Sequence, residues 1–129
     1  MATITAKLTL TSSDISSDSL NVAVTDALTV GFPANGVSQT SVTTTGANNI
    51  IQPATDGQTY YVYVKHTGTT DGTTLSEATL NVELTGDVIF GKLAAGEFCF
   101  LPVGGHSLGV QLQSSASTIV AEYAYFVKG

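Results

Sequence analysis

Residues 58–67 read Gln58-Thr59-Tyr60-Tyr61-Val62-Tyr63-Val64-Lys65-His66-Thr67. Aromatic and β-branched residues of this kind fit a pleated surface, and successive side chains of a strand point to opposite faces. Tyr60, Val62 and Val64 therefore share one face, with Tyr61, Tyr63 and Lys65 on the other. Both faces carry apolar bulk. One must meet a core; the other meets solvent, a second buried layer or a partner.

The same period of two runs outward in both directions. Towards the N-terminus, Ile4, Ala6, Leu8 and Leu10 alternate with Thr and Lys7. A Ser/Asp loop follows over residues 11–19. Leu20, Val22 and Val24 then alternate in turn, and their parity continues through Asp26 to Leu28, Val30 and Phe32. A carboxylate on an apolar face is costly to bury unpaired, so a bulge or tight turn is expected at Thr25-Asp26. Residues 33–36 read as a turn, and residues 37–45 as a polar, Thr-rich strand at an edge or open to solvent on both sides. Ile50-Ile51 begins a short segment that Pro53 ends, and Asp56-Gly57 signals a turn.

Towards the C-terminus, residues 68–74 form a Gly/Thr loop. Ala78, Leu80, Val82 and Leu84 point inward, and Glu77, Thr79, Asn81 and Glu83 outward. Gly86-Asp87 turns into Val88-Ile89-Phe90. Residues 97–101 make a strand that Pro102 ends, Gly104-Gly105-His106 is a loop, and Leu108, Val110 and Leu112 alternate. In the last strand Ile119, Ala121, Tyr123, Tyr125 and Val127 share one face, with Val120, Glu122, Ala124 and Phe126 on the other. Eight to ten short strands with no helical period predict an all-β fold, an antiparallel two-sheet sandwich of jelly-roll type. No linker or repeat divides it, so residues 1–129 read as a single domain.

Composition fits this reading. Of 129 residues, 43% are hydrophobic and only 11% charged, so the polar surface comes largely from 20 Thr and 12 Ser. The net charge is −6, with four Lys and no Arg. That balance argues against nucleic acid, whose phosphates draw on clustered Lys and Arg, and against anionic membrane surfaces. The first residues lack a basic, then apolar, leader pattern, so synthesis in the cytosol is the expectation.

Chemistry is sparse. His66 and His106 stand alone, without metal-ligand spacing, and are expected at exposed loop ends. Cys99 sits between Phe98 and Phe100 and reads as a half-buried structural thiol, because a nucleophilic Cys needs a base and an electropositive setting. Glu77 and Glu83 lie six residues apart on one strand face, roughly 20 Å at strand rise, too far for a glycosidase pair. Asp71-Gly72 resembles a fragment of a calcium loop but lacks the acids that should follow at alternate positions. No catalytic residue, metal site or cofactor is assigned, and the chain is not expected to be an enzyme. The candidate interface residues are the aromatic ones, Tyr61, Tyr63, Tyr123, Tyr125 and Phe126, because Tyr couples a large apolar body to a polar tip.

The C-terminal third carries a longer pattern. Leu93-Ala94-Ala95-Gly96-Glu97-Phe98-Cys99-Phe100-Leu101-Pro102 leads to Ser117-Thr118-Ile119-Val120-Ala121-Glu122-Tyr123. Within residues 86–127 this resembles small all-β virion proteins of tailed bacteriophages, in which L-x-x-G-E-x-x-F-L-P precedes a final S-T-x-V-E-Y strand; here Ala121 separates Val120 from Glu122. The resemblance implies a capsid decoration or cement protein, or a tail or neck component. It implies a place on the capsid exterior, the major capsid protein or other virion subunits as partners, and a homo-oligomer. A carbohydrate- or receptor-binding module of a phage tail or fibre is the alternative, with Tyr61 and Tyr63 stacking on sugar.

Overall fold

The computed structural model describes residues 2–46, 48–51, 58–104 and 109–129. Among these there is no helix. Nine strands are present: β1 (Ala2–Ser12), β2 (Leu20–Val42), β3 (Asn48–Ile51), β4 (Tyr60–His66), β5 (Leu80–Leu84), β6 (Val88–Leu93), β7 (Phe98–Val103), β8 (Val110–Ser114) and β9 (Ile119–Lys128). They form two antiparallel sheets, one ordered β1-β2-β9-β4-β7 and the other β3-β8-β5-β6. With β1 set aside, this is the double Greek-key strand order of a jelly roll. The all-β sandwich read from the sequence is the observed architecture.

The core lies between the sheets and is aliphatic. Val42, Val62, Val64, Leu80, Val82, Val110, Leu112, Ile119 and Ala121 are buried in one cluster, with Tyr60, Cys99, Val103, Tyr123 and Tyr125 packed against it. The alternation in β4, β5 and β9 assigns their inward faces correctly. β1 places no residue in this cluster.

β2 is 23 residues long and serves two partners. Its first part pairs with β1 in an unbroken register of eleven pairs, from Ala2↔Val30 to Ser12↔Leu20. Its second part pairs with β9, from Val30↔Lys128 to Val42↔Ile119. No bulge interrupts Thr25-Asp26. Asp26 pairs squarely with Ala6, and its face of the ribbon is open, so its exposed carboxylate carries no burial cost and accepts the Ala27 N–H. The expected turn at residues 33–36 is also absent. The strand instead absorbs extra residues in two register shifts, at Gly31/Ala34 and Asn35/Ser38. Bulges of this kind bend a strand and increase its twist. They push Phe32 out to 90% exposure and Val37 to 70%. Beyond them, Thr40 and Val42 turn inward at the sheet edge and Val42 is fully buried, so this segment is not open on both sides.

Pro102 does not end β7, which runs on to Val103. β7 is an edge strand, paired with β4 alone, and an edge tolerates a residue without an N–H donor. Pro53, Asp56-Gly57 and Gly105-His106 lie outside the described residues, as does Leu108.

Candidate functional site

The β1–β2 ribbon is amphipathic. Its register brings Ile4 opposite Leu28, Leu8 opposite Val24 and Leu10 opposite Val22 on one face. Asp26 is the one charged side chain there. The other face presents Thr3, Thr5, Thr9, Thr11, Thr25 and Thr29, with Lys7. An apolar face of this size normally meets a core, yet Leu8, Leu10 and Val24 remain about half exposed. A lone two-stranded ribbon is marginal in water, so such a face calls for cover.

That face is continuous with the outer face of the five-stranded sheet, because Val30 pairs with Lys128 on the side away from the core. The sheet's outer face is aromatic. Pairing sets Tyr61 beside Pro102 and Phe126, Tyr63 beside Phe100 and Ala124, and Lys65 beside Phe98 and Glu122. Tyr61 and Phe100 stack with ring centroids 6.0 Å apart and planes 11° from parallel. Lys128 Nζ lies 5.8 Å from the Tyr61 ring centroid, within cation–π range. Tyr63 donates its hydroxyl proton to Glu122 Oε1 at 2.8 Å. Burial, this hydrogen bond and the carboxylate charge push the Tyr63 phenol up to about 12. Phe98 and Phe100 are 63% and 40% exposed.

Ribbon and sheet face one another across apolar clefts. One, of about 580 Å³, is lined by Ile4, Leu8 and Val24 from the ribbon and by Tyr63, Phe98 and Phe100 from the sheet, with both Asp26 and Lys7 at its wall. A second, of about 530 Å³, lies between Ala2, Ile4 and Val30 and the exposed side of Phe126 and Phe32.

Of the five aromatic residues singled out from sequence, Tyr61, Tyr63 and Phe126 lie on this outer face. Tyr123 and Tyr125 turn inward and pack against the core, where Tyr125 meets Tyr60 edge to face at 6.0 Å and 75°. The five therefore do not form one surface. Phe98, Phe100 and the ribbon's apolar side join that face as well, beyond the five aromatic residues, although their alternation is visible in the sequence. What alternation cannot report is whether a given face has a covering layer.

The described polar candidates make contacts within the fold. His66 is fully buried, not exposed at a loop end. Its Nδ1 accepts the Gly68 N–H at 2.9 Å and its Nε2 donates to the Ala78 carbonyl at 2.9 Å, so the ring joins two loop segments. His106 lies outside the described residues. Cys99 is half-buried, and burial pushes its thiol up, away from the nucleophilic thiolate. Asp71 closes its own loop. Its Oδ1 accepts the Thr74 and Thr73 N–H groups at 2.6 and 2.9 Å, and both hydroxyls donate to the carboxylate. These donors hold its carboxyl well below the usual range. Glu83 does point outward from β5 yet is buried. Gln111 Nε2 donates to Glu83 Oε2 at 2.8 Å and to Asp87 Oδ1 at 3.0 Å. Among the described residues, no three His, Cys, Asp or Glu side chains gather as a metal site. A scan of protein-family models and a search of curated proteins find no match to this chain.

Proposed function

We propose that the chain is a structural part of a tailed-phage virion, a capsid decoration protein that binds and stiffens the outside of the head shell and catalyses nothing. The observation that carries the reading is the amphipathic β1–β2 ribbon, whose apolar side leaves Leu8, Leu10 and Val24 about half exposed although β1 places no residue in the core between the sheets. An apolar surface that the fold does not need is the signature of a contact surface. The C-terminal pattern around Leu93–Pro102 supports a virion setting. An acidic chain without Arg suits a position away from the packaged genome.

Mass spectrometry of gradient-purified particles from cells producing the chain tests the assignment. The expected result is stoichiometric recovery with the shell proteins and loss from tail-only fractions. Recovery solely in the soluble fraction overturns it, and recovery in tails alone favours receptor binding.

A further inference from the structure

We infer that Asn35-Gly36 is a site of spontaneous covalent modification, at which the Gly36 backbone nitrogen displaces the Asn35 side-chain amide and leaves an aspartate or isoaspartate at position 35. The pair is the one Asn-Gly in the chain. Attack by a backbone nitrogen on the preceding side chain needs a backbone free to turn and no Cβ in the way, which glycine supplies. β2 leaves the pair that freedom. Its register with β9 passes from Asn35↔Tyr125 to Ser38↔Tyr123, so Gly36 and Val37 face no partner residue. β1 stops pairing with β2 at Val30, so β1 does not hold the other edge here. Gly36 is exposed, and a methyl group on it would meet nothing within 4 Å.

The amide is also polarised. The Ser38 hydroxyl lies 3.2 Å from Asn35 Oδ1 and 3.3 Å from the Gly36 carbonyl oxygen, and it can donate to either. A donor at Oδ1 stabilises the negative charge that gathers there as the nitrogen attacks. The other four asparagines lack this setting. Asn21, Asn48, Asn49 and Asn81 each face a partner residue in a ladder, and each is followed by a larger residue, Val22, Asn49, Ile50 and Val82. Asp71-Gly72 has the same spacing, but its groups are taken. Thr73 and Thr74 hold the carboxylate, and the Gly72 N–H donates to Thr69 Oγ1 at 3.1 Å.

The reaction needs only water. The Gly36 nitrogen gives up its proton and bonds to Asn35 Cγ. The Cγ–Nδ2 bond breaks, and Nδ2 leaves with that proton as ammonia. The product is a cyclic succinimide, which water opens at either carbonyl. Opening at the side-chain carbonyl gives aspartate. Opening at the backbone carbonyl gives isoaspartate, with the chain running through the former side chain. Nothing is oxidised or reduced. Each event adds one negative charge to a chain already at −6, so copies grow more acidic with age. Isoaspartate also lengthens β2 by one backbone carbon, within a segment that already carries extra residues against β9.

The inference does not rest on the proposed function. Its test is to age the full folded chain in warm, mildly alkaline buffer and follow it by isoelectric focusing and fragment-ion mass spectrometry. An acidic band should grow in, at the position where unaged Asn35→Asp focuses. Position 35 should convert roughly tenfold faster than any other asparagine, or more. Enzymatic methyl transfer to isoaspartyl carboxylates should label the same peptide. Gly36→Ala adds a methyl group that the folded chain has room for. It should slow conversion about tenfold with an unchanged far-ultraviolet circular dichroism spectrum, and Ser38→Ala should slow it less. An Asn35 that stays intact in the folded chain while the urea-unfolded chain converts overturns the inference, because the fold then protects the pair. So does conversion spread evenly over the asparagines, or a rate that neither variant slows.

Discussion

Tyr61 and Phe100 stack almost parallel on neighbouring strands, on the side of the five-stranded sheet that faces away from the core. Their partners along the same face are Phe98, Pro102, Tyr63 and Phe126. A sandwich needs one apolar face per sheet; this sheet has two. Offset aromatic pairs contribute about 0.5–1.5 kcal/mol beyond their burial. A double-mutant cycle with Tyr61→Leu and Phe100→Leu, read by urea unfolding, should give a coupling near 1 kcal/mol. A coupling indistinguishable from zero would mean that the rings merely lie close.

His66 should matter to stability more than to any chemistry. His66→Leu fills the space but leaves the Gly68 N–H and the Ala78 carbonyl without their partner. The Ala78 carbonyl is buried and the Gly68 N–H partly so; a buried unsatisfied group costs about 1–3 kcal/mol, so a loss of roughly 2–3 kcal/mol is expected in denaturant unfolding. A loss below 1 kcal/mol would show that those two groups find other partners.

Tyr63 should ionise late. Its folded value lies near 12, above the ordinary 10. Its contribution to stability is therefore complete below pH 10 and is lost as pH rises through about 12. Ultraviolet titration should resolve one tyrosine that ionises last, and Tyr63→Phe should remove that step. In Glu122→Gln the step should move towards 10, because the carboxylate is one of its causes. An unmoved step in Glu122→Gln would contradict this assignment.

Asp71 behaves in the opposite sense. Its folded value is depressed, so its contribution is present above the unfolded value of about 3.9 and is lost as pH falls through the folded one. No change is expected between pH 5 and 8. Asp71→Ala should speed amide exchange at Thr73 and Thr74, whereas Asp71→Asn, which keeps the Oδ1 acceptor, should largely preserve their protection. Equal exchange in both variants would rule out the carboxylate as the organiser of this loop.

Much of the fold was legible in the sequence because most strands face one core. The alternation of Val62 and Val64, of Leu80 and Val82, and of Ile119 and Ala121 gives their inward faces directly. Alternation reports the side on which a residue lies, not what covers that side. Glu83 was placed on the outward side of β5 yet is buried beside Gln111, and Tyr63 lies outward yet is partly covered. The parity at Asp26 conflicts only with a buried face; the ribbon leaves Asp26 exposed. Pro33 and Gly36 carry turn chemistry, but a strand paired on one side at a time can take extra residues as bulges. His66 could not be placed because its partners, Gly68 and Ala78, are fixed by loop geometry that no period encodes.

Cryo-electron microscopy of intact particles tests the central claim most directly. The predicted result is a map in which a nine-stranded sandwich occupies symmetry-related positions on the outer surface of the head shell, with its own density resolved from the capsid subunits. A map whose outer shell is fully accounted for by other chains, with this sandwich absent from the head, would contradict the account.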